Sequence, residues 1–133
     1  MILIIGGAYQ GKLDYAKKEY DIKENDVFMC SAGKSVEPGV HPVIDFSKKC
    51  VNSIEEFTFA CISAGVEPLD YFVKHEEEWQ DSILICEDIF CGVVPLGADL
   101  REWRQATGRL CKYLSQQAES VIRVFCGLEQ KLK

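Results

Sequence analysis

Arginine is missing from the first hundred residues of this 133-residue chain: Arg101, Arg104, Arg109 and Arg123 are the whole complement. Any guanidinium clamp on an anion must therefore come from the C-terminal third. Basic residues are scarce overall, 15 against 21 acidic ones, for a formal net charge of -6. That balance excludes a nucleic-acid backbone as the principal partner, which needs dense Lys and Arg, and favours a small ligand. No apolar run approaches the roughly 18 residues that span a bilayer. Met1-Ile-Leu-Ile-Ile is too short, and lacks the basic leader, for a secretion signal. The expected location is cytoplasmic, without a membrane partner.

Histidine is limited to His41 and His75, and none of the seven cysteines forms a Cys-x-x-Cys pair. An odd cysteine count without ligand spacing excludes a zinc centre or a disulfide framework. Strings such as "VFMC", "ILIC" and "RVFC" place most thiols among apolar residues, as small buried hydrophobes. His41 stands beside Pro42 and His75 before Glu76-Glu77-Glu78, which suits surface roles and a solvated acidic face.

What is present is an alternation of apolar runs and helical segments. Met1 to Ile5 is continuously apolar and ends at Gly6-Gly7, the pattern of a strand buried on both faces. Lys12 to Tyr20 reads as a short helix, "DVFMC" at 26–30 as a second strand, and "HPVIDF" at 41–46 as a third despite Pro42. "SAGKSVEPGV" between them is loop by composition. Asn52 to Ala64 is expected to be helical, capped by Asn52 or Ser53 and stopped by Gly65, and Pro68 to Trp79 to form another helix. "SILICED" at 82–88 is a strong strand and "SVIRVFCG" at 120–127 the last. The longest helix, about Asp99 to Glu119, is opened by Asp99 with Glu102 three residues on, and Leu100, Trp103, Thr107, Leu110 and Leu114 make its buried stripe. Strands alternating with helices predict one α/β domain over residues 1–133, a three-layer parallel sheet of the phosphate-loop nucleoside triphosphate hydrolase type.

The chemistry-bearing segment is Gly6-x-x-x-x-Gly11-Lys12. Gly6, Gly7, Ala8 and Gly11 would let successive N–H groups turn toward phosphate oxygens, the following helix would add its positive end, and Lys12 would reach the outer phosphates. The expected ligand is GTP or ATP. A Ser or Thr belongs next, to ligate Mg²⁺, but the residue is Leu13. Its loss impairs catalysis more than binding, so Mg²⁺ dependence is expected to be weak. Asp14 is explained by the helix dipole. Asp45, at the end of an apolar run, is the expected metal-orienting carboxylate. Glu87-Asp88 stands at a strand's carboxyl end, where open α/β sheets bind ligands, with Asp88 a candidate catalytic acid beside Lys12. Arg101 and Arg104 offer guanidinium forks to phosphate from the long helix, with Gly108 permitting close approach.

"MILIIGGAYQGK", "EDIFCGVVP" and "REWRQATGRLCKYLSQQAESVIRVFCGLEQKLK", in that order, resemble the bifunctional adenosylcobinamide kinase / adenosylcobinamide-phosphate guanylyltransferase family of cobalamin biosynthesis. The resemblance covers the first 16 residues and about the last 50. It implies a parallel α/β nucleotide-binding fold, frequently oligomeric, phosphoryl transfer to the aminopropanol hydroxyl of a corrinoid, and guanylyl transfer through a GMP-modified histidine. It places Gly6, Gly7, Gly11 and Lys12 on the phosphates, Asp45 on the metal, Asp88 where the family has Glu, and Arg101, Arg104 and Gly108 on the helix. Leu13 replaces the family's Ser, Gln105 its Asp, and Cys111-Lys112 its Asn-Gln pair. The histidine-bearing segment is cut to a short loop without arginine, so the guanylylation site is absent. These departures describe a shortened member with a degenerate active site, binding nucleotide with kinase activity weakened.

Overall fold

The computed structural model of the chain describes residues 1–32 and 41–133. Five parallel strands and one antiparallel strand form a single sheet among these residues. In chain order the elements begin with β1 (Ile2–Gly6), α1 (Lys12–Tyr20), a short 3₁₀ turn and β2 (Val27–Met29). They continue with β3 (Cys50–Asn52), α2 (Ile54–Ser63), α3 (Pro68–Lys74), α4 (Glu76–Trp79) and β4 (Ile83–Glu87), and end with α5 (Ala98–Gln117), β5 (Ser120–Phe125) and β6 (Leu128–Lys131). The strand order is β2-β3-β4-β1-β5-β6. Among the described residues no helix is long and apolar enough to cross a membrane.

The two faces of the sheet bury different residues, as the period-2 alternation of strands requires. Leu3, Val51, Leu84, Cys86 and Val121 pack against α2, α3 and α5 through Phe57, Phe72, Leu110 and Leu114. Ile4, Ile83, Ile85, Ile122 and Val124 face α1 through Ala16, Leu13 and Tyr15. Helices therefore cover both faces. The central strands β1 and β4 read as unbroken apolar runs because both of their faces are covered.

This winding decides where a ligand can sit. The chain leaves β1 through α1 and returns to the sheet at β2, on one side of β1. It leaves β4 through α5 and enters β5, on the other side of β1. Connections thus diverge from the adjacent strands β1 and β4, which pair in register with Gly6 opposite Glu87. A crevice outside the carboxyl ends at such a divergence is where open α/β sheets bind ligands.

Several expectations are corrected. Residues 41–45 form no strand; the third strand is Cys50–Asn52. Within 41–46 only Ile44 and Phe46 are buried, as anchors of a connecting segment, while Val43 stays exposed. The Ile44 N–H donates to Tyr71 Oη at 3.0 Å, and Phe46 meets Phe72 edge-on with centroids 5.7 Å apart. The loop at 31–40 lies outside the described residues from 33 onward. The helix expected over Pro68 to Trp79 breaks at His75, which stacks on Tyr71 at 4.4 Å and bonds Glu78 through Nδ1 at 2.6 Å. The long helix is capped by Gly97, so Asp99 lies inside its first turn and no side chain caps it. Leu100 drops out of the buried stripe at 42% exposed, while Ala106 and Cys111 join it.

The strand after β5 was not anticipated. Cys126 and Gly127 both have positive φ, 51° and 74°, the backbone twist that two-residue hairpin turns need. β6 then pairs antiparallel with β5 from Phe125–Leu128 to Ile122–Lys131. All seven cysteines are free thiols: Cys30, Cys50, Cys61, Cys86 and Cys111 are buried, and Cys91 and Cys126 are exposed. Burial pushes the Cys30 and Cys61 thiols up to about 12 and that of Cys50 to about 11, and Cys86, beside Cys111, is raised too. They are packing groups rather than nucleophiles.

Candidate functional site

The segment from Gly6 to Lys12 sits at the divergence point. Gly6 ends β1 where the chain touches β5: a Cβ there would lie 2.3 Å from the Val124 carbonyl oxygen, so only glycine fits. Gly7 passes over β4, with Asp88 Oδ1 3.8 Å from the position of an added Cβ, and the Asp88 N–H donates to the Gly6 carbonyl at 3.1 Å. Ala8 and Tyr9 are exposed at the tip, Tyr9 at φ 57°. A non-glycine residue in the left-handed region is a local strain held by its surroundings.

Those surroundings are visible. Gln10 Nε2 donates to the Ala8 carbonyl at 3.2 Å, and Gln10 Oε1 accepts from the Cys126 N–H at 2.6 Å. The Gln10 carbonyl accepts from the Gly127 N–H at 3.1 Å. The β5–β6 turn therefore braces the loop from outside. Gly11, at φ 84°, opens α1 with no side-chain cap hydrogen bond, which leaves the helix's first amide groups available to an anion. Lys12 folds back so that Nζ donates to the Gly7 carbonyl at 2.6 Å, closing the loop with a cation.

Beside this loop lies a cleft of about 180 Å³ lined by Gly11, Lys12, Leu13, Asn52, Glu55 and Glu87, among others. Pockets that enclose a whole small molecule run to roughly 300–1,000 Å³, so this one has room for only the end of such a molecule. Asn52 and Ser53 reach it from the end of β3, Glu55 from the first turn of α2, and Glu87 from the end of β4. Glu55 is 8% exposed, and its Oε2 accepts from the Glu87 N–H at 2.8 Å. Its own carbonyl accepts from Trp103 Nε1 and Thr58 Oγ1, both at 2.8 Å. Burial raises the Glu55 carboxyl above the usual carboxylate range, and the negative Glu87 adds to this, while the Glu87 N–H and the positive Lys12 oppose it.

The other expected site residues fall elsewhere. Asp45 is exposed, and its Oδ1 accepts from the Ser47 N–H at 3.0 Å and from Ser47 Oγ at 2.5 Å. Lys48, the residue after Ser47, donates through Nζ to the Asn25 carbonyl, just before β2. Asp45 thus belongs to a turn at the amino ends of the strands, across the sheet from the loop. Two hydrogen bonds to the charged form hold its carboxyl below the usual range. Among the described residues no group of three or more His, Cys, Asp or Glu is arranged to hold a metal ion.

Arg104 does not present its fork to the loop either. It donates to the carbonyls of Phe90 (3.2 Å from Nε, 2.8 Å from Nη2), Gly92 (2.9 Å) and Val93 (2.6 Å). Arg101 donates to Pro95 at 3.3 Å and to Leu96. Both guanidinium groups clasp the connection between β4 and α5, which carries Val93 and Leu96 at 94% and 97% exposed. Gly108 packs against Phe90 Cβ, 3.6 Å from where its own Cβ would be, and lines a larger apolar groove of about 560 Å³ with Leu3, Ile5, Phe90 and Cys111.

The structure therefore brings together Gly7, Gly11, Lys12 and Glu87, with Asp88 beneath Gly7, and adds Asn52 and Ser53, which the sequence offered only as helix caps, and Glu55, which it did not single out. No family model matches the chain, and no curated protein matches it in sequence.

Proposed function

We propose that this chain binds the phosphate groups of a nucleoside triphosphate, GTP or ATP, in the loop from Gly6 to Lys12. The observation that carries the reading is the Lys12 ammonium held over the loop by the Gly7 carbonyl at 2.6 Å, beside the uncapped amino end of α1. Amide dipoles, a helix terminus and one cation at the divergence of an open α/β sheet make an anion site. On this reading the fold is of the phosphate-loop type. The sequence resemblance extends it: the chain is a shortened relative of the adenosylcobinamide kinase / guanylyltransferase family that has lost guanylyl transfer. Leu13 supplies no hydroxyl to a metal, and Asp45 stands across the sheet, so nucleotide affinity leans on amides and Lys12 more than on Mg²⁺.

A second reading, a small kinase acting on a corrinoid-like alcohol, is favoured by one observation. Glu55 and Glu87 enter the same cleft as Lys12, which supports carboxylates acting on an acceptor beside a terminal phosphate.

The test is thermal unfolding with and without nucleotide. Ligand at a hundredfold excess over its Kd stabilises by about 2.7 kcal/mol, an upward shift in Tm of roughly 10 °C for a domain of this size. GTP or ATP should give such a shift in the wild type and little in Lys12→Ala. Equal shifts in both proteins would remove the loop from the account.

A further inference from the structure

Glu55 is the one charged side chain classed with the buried core among the described residues, and the cleft it enters is the one that holds Lys12. Its local sequence explains the position. In "SIEEF", two glutamates fall in the first turn of α2, where the helix dipole favours them. They point apart. Glu56 Oε2 accepts from the Ala32 N–H at 3.3 Å, while Glu55 Oε2 accepts from the Glu87 N–H at 2.8 Å. The Glu55 backbone is clamped in turn, its carbonyl accepting from Trp103 of α5 and from Thr58, which bonds Thr107 at 2.6 Å. One carboxylate oxygen is thus committed to β4, and the carboxylate also accepts from the Glu55 N–H itself, while its buried side chain still lines the cleft with Lys12.

We infer that Glu55 is the proton acceptor for a neutral hydroxyl, water or an alcohol, that attacks the terminal phosphoryl group of a nucleotide seated in the Gly6–Lys12 loop. The inference rests on the nucleotide reading above. In the step, the hydroxyl oxygen forms a bond to the γ-phosphorus, and the bond from that phosphorus to the β–γ bridging oxygen breaks. The nucleoside diphosphate departs with the electron pair, and the hydroxyl proton passes to the Glu55 carboxylate. Charge selects the acceptor class. Among the described residues, Asp14, Glu55 and Glu87 line the cleft against one cation, Lys12, so an anionic acceptor beside the γ-phosphate would add repulsion that a neutral hydroxyl avoids. Burial raises the Glu55 carboxyl toward the operating pH, the direction that improves a general base.

The groups facing this carboxyl are Lys12 and Asp14 of α1, Glu87 and the Cys86 thiol of β4, the Cys30 thiol after β2, and the uncharged Trp103 of α5. The experiment compares wild type, Glu55→Gln and Lys12→Ala with γ-labelled magnesium GTP and ATP. It follows release of phosphate to water and transfer to glycerol as the neutral alcohol, with nucleotide Kd measured separately. Glutamine can still accept from the Glu87 N–H, so the variant isolates the proton-accepting oxygen. Wild type should turn over at least tenfold above Lys12→Ala. Glu55→Gln should be slower by about 100-fold or more, with Kd within threefold. The wild-type rate should rise with pH to a plateau, and Glu55→Gln should lack the rise. Bound nucleotide without turnover above the Lys12→Ala level, a Glu55→Gln rate equal to wild type, or a wild-type rate indifferent to pH would each overturn the role of Glu55. Failure of wild type to bind nucleotide would instead overturn the loop reading, and this inference with it.

Discussion

Replacing Gly6 by alanine tests how the loop is held at the end of β1. The added methyl would lie 2.3 Å from the Val124 carbonyl oxygen and 3.3 Å from its carbon, both backbone atoms of β5. Neither can retreat, because Val124 is fully buried and its strand is paired on both sides. The clash must be relieved by moving β1 from β5 or by expelling the loop. Overpacking of this kind costs about 3 kcal/mol or somewhat more, which lowers Tm by roughly 10 °C in a domain of this size. Gly65→Ala is the control: its φ is +71°, and an added Cβ meets nothing within 4 Å, so it carries only the left-handed backbone cost of about 1–2 kcal/mol. Gly6 also has a positive φ, +156°, so both variants carry a backbone cost, and urea unfolding of the two, read as midpoints at constant slope, shows what the crowding adds. The account expects Gly6→Ala to be the more destabilised by at least about 1 kcal/mol and to bind nucleotide more weakly. Equal midpoints would refute the close approach of β5 to the loop.

Three further outcomes follow from where the remaining site residues were found. Arg104→Ala removes charged hydrogen bonds to three carbonyls of the β4–α5 connection, and partners of that kind are worth about 1.5–3 kcal/mol each when lost. The expected result is faster proteolytic cleavage within residues 89–97 with nucleotide Kd nearly unchanged; a large loss of affinity instead would mean the guanidinium serves phosphate. Ser47→Ala should raise the Asp45 pKa toward the ordinary carboxylate value, read by NMR titration. Because folding depresses this pKa, the stability it confers is present above the unfolded pKa and fades as pH falls through the folded one. Asp45→Asn should leave nucleotide affinity and its Mg²⁺ dependence unaltered, and a change in either would return Asp45 to the site.

How much was legible in the sequence varied with how locally each feature is determined. β1 and β4 are buried on both faces, so their apolar runs announce them, and α1 starts where Gly11 must. β3 escaped because it is three residues long and preceded by Lys48-Lys49, whereas the more apolar "VIDF" is a connecting segment anchored by Ile44 and Phe46. β6, "LEQK", is polar and exposed, and only the Cys126-Gly127 turn hinted at a hairpin. The glycine and lysine spacing of the loop was readable because its chemistry is local. The meeting of Glu55 with Glu87 was not: 32 residues separate them, and they join only because β3 and β4 are neighbours in the sheet. Arg101 and Arg104 were read by their affinity for phosphate, but carbonyls of the adjoining loop lie nearer and claim the same donors.

The most direct measurement is calorimetric titration of GTP and ATP into wild type and Lys12→Ala, each with Mg²⁺ and with EDTA. The account predicts saturable heat with at least one nucleotide and a similar Kd in both buffers, since Leu13 offers a metal nothing. It predicts affinity lower by about 10- to 100-fold in Lys12→Ala, the worth of one charged hydrogen-bonding partner. No heat from wild type at millimolar nucleotide, or the same affinity in Lys12→Ala, would contradict it.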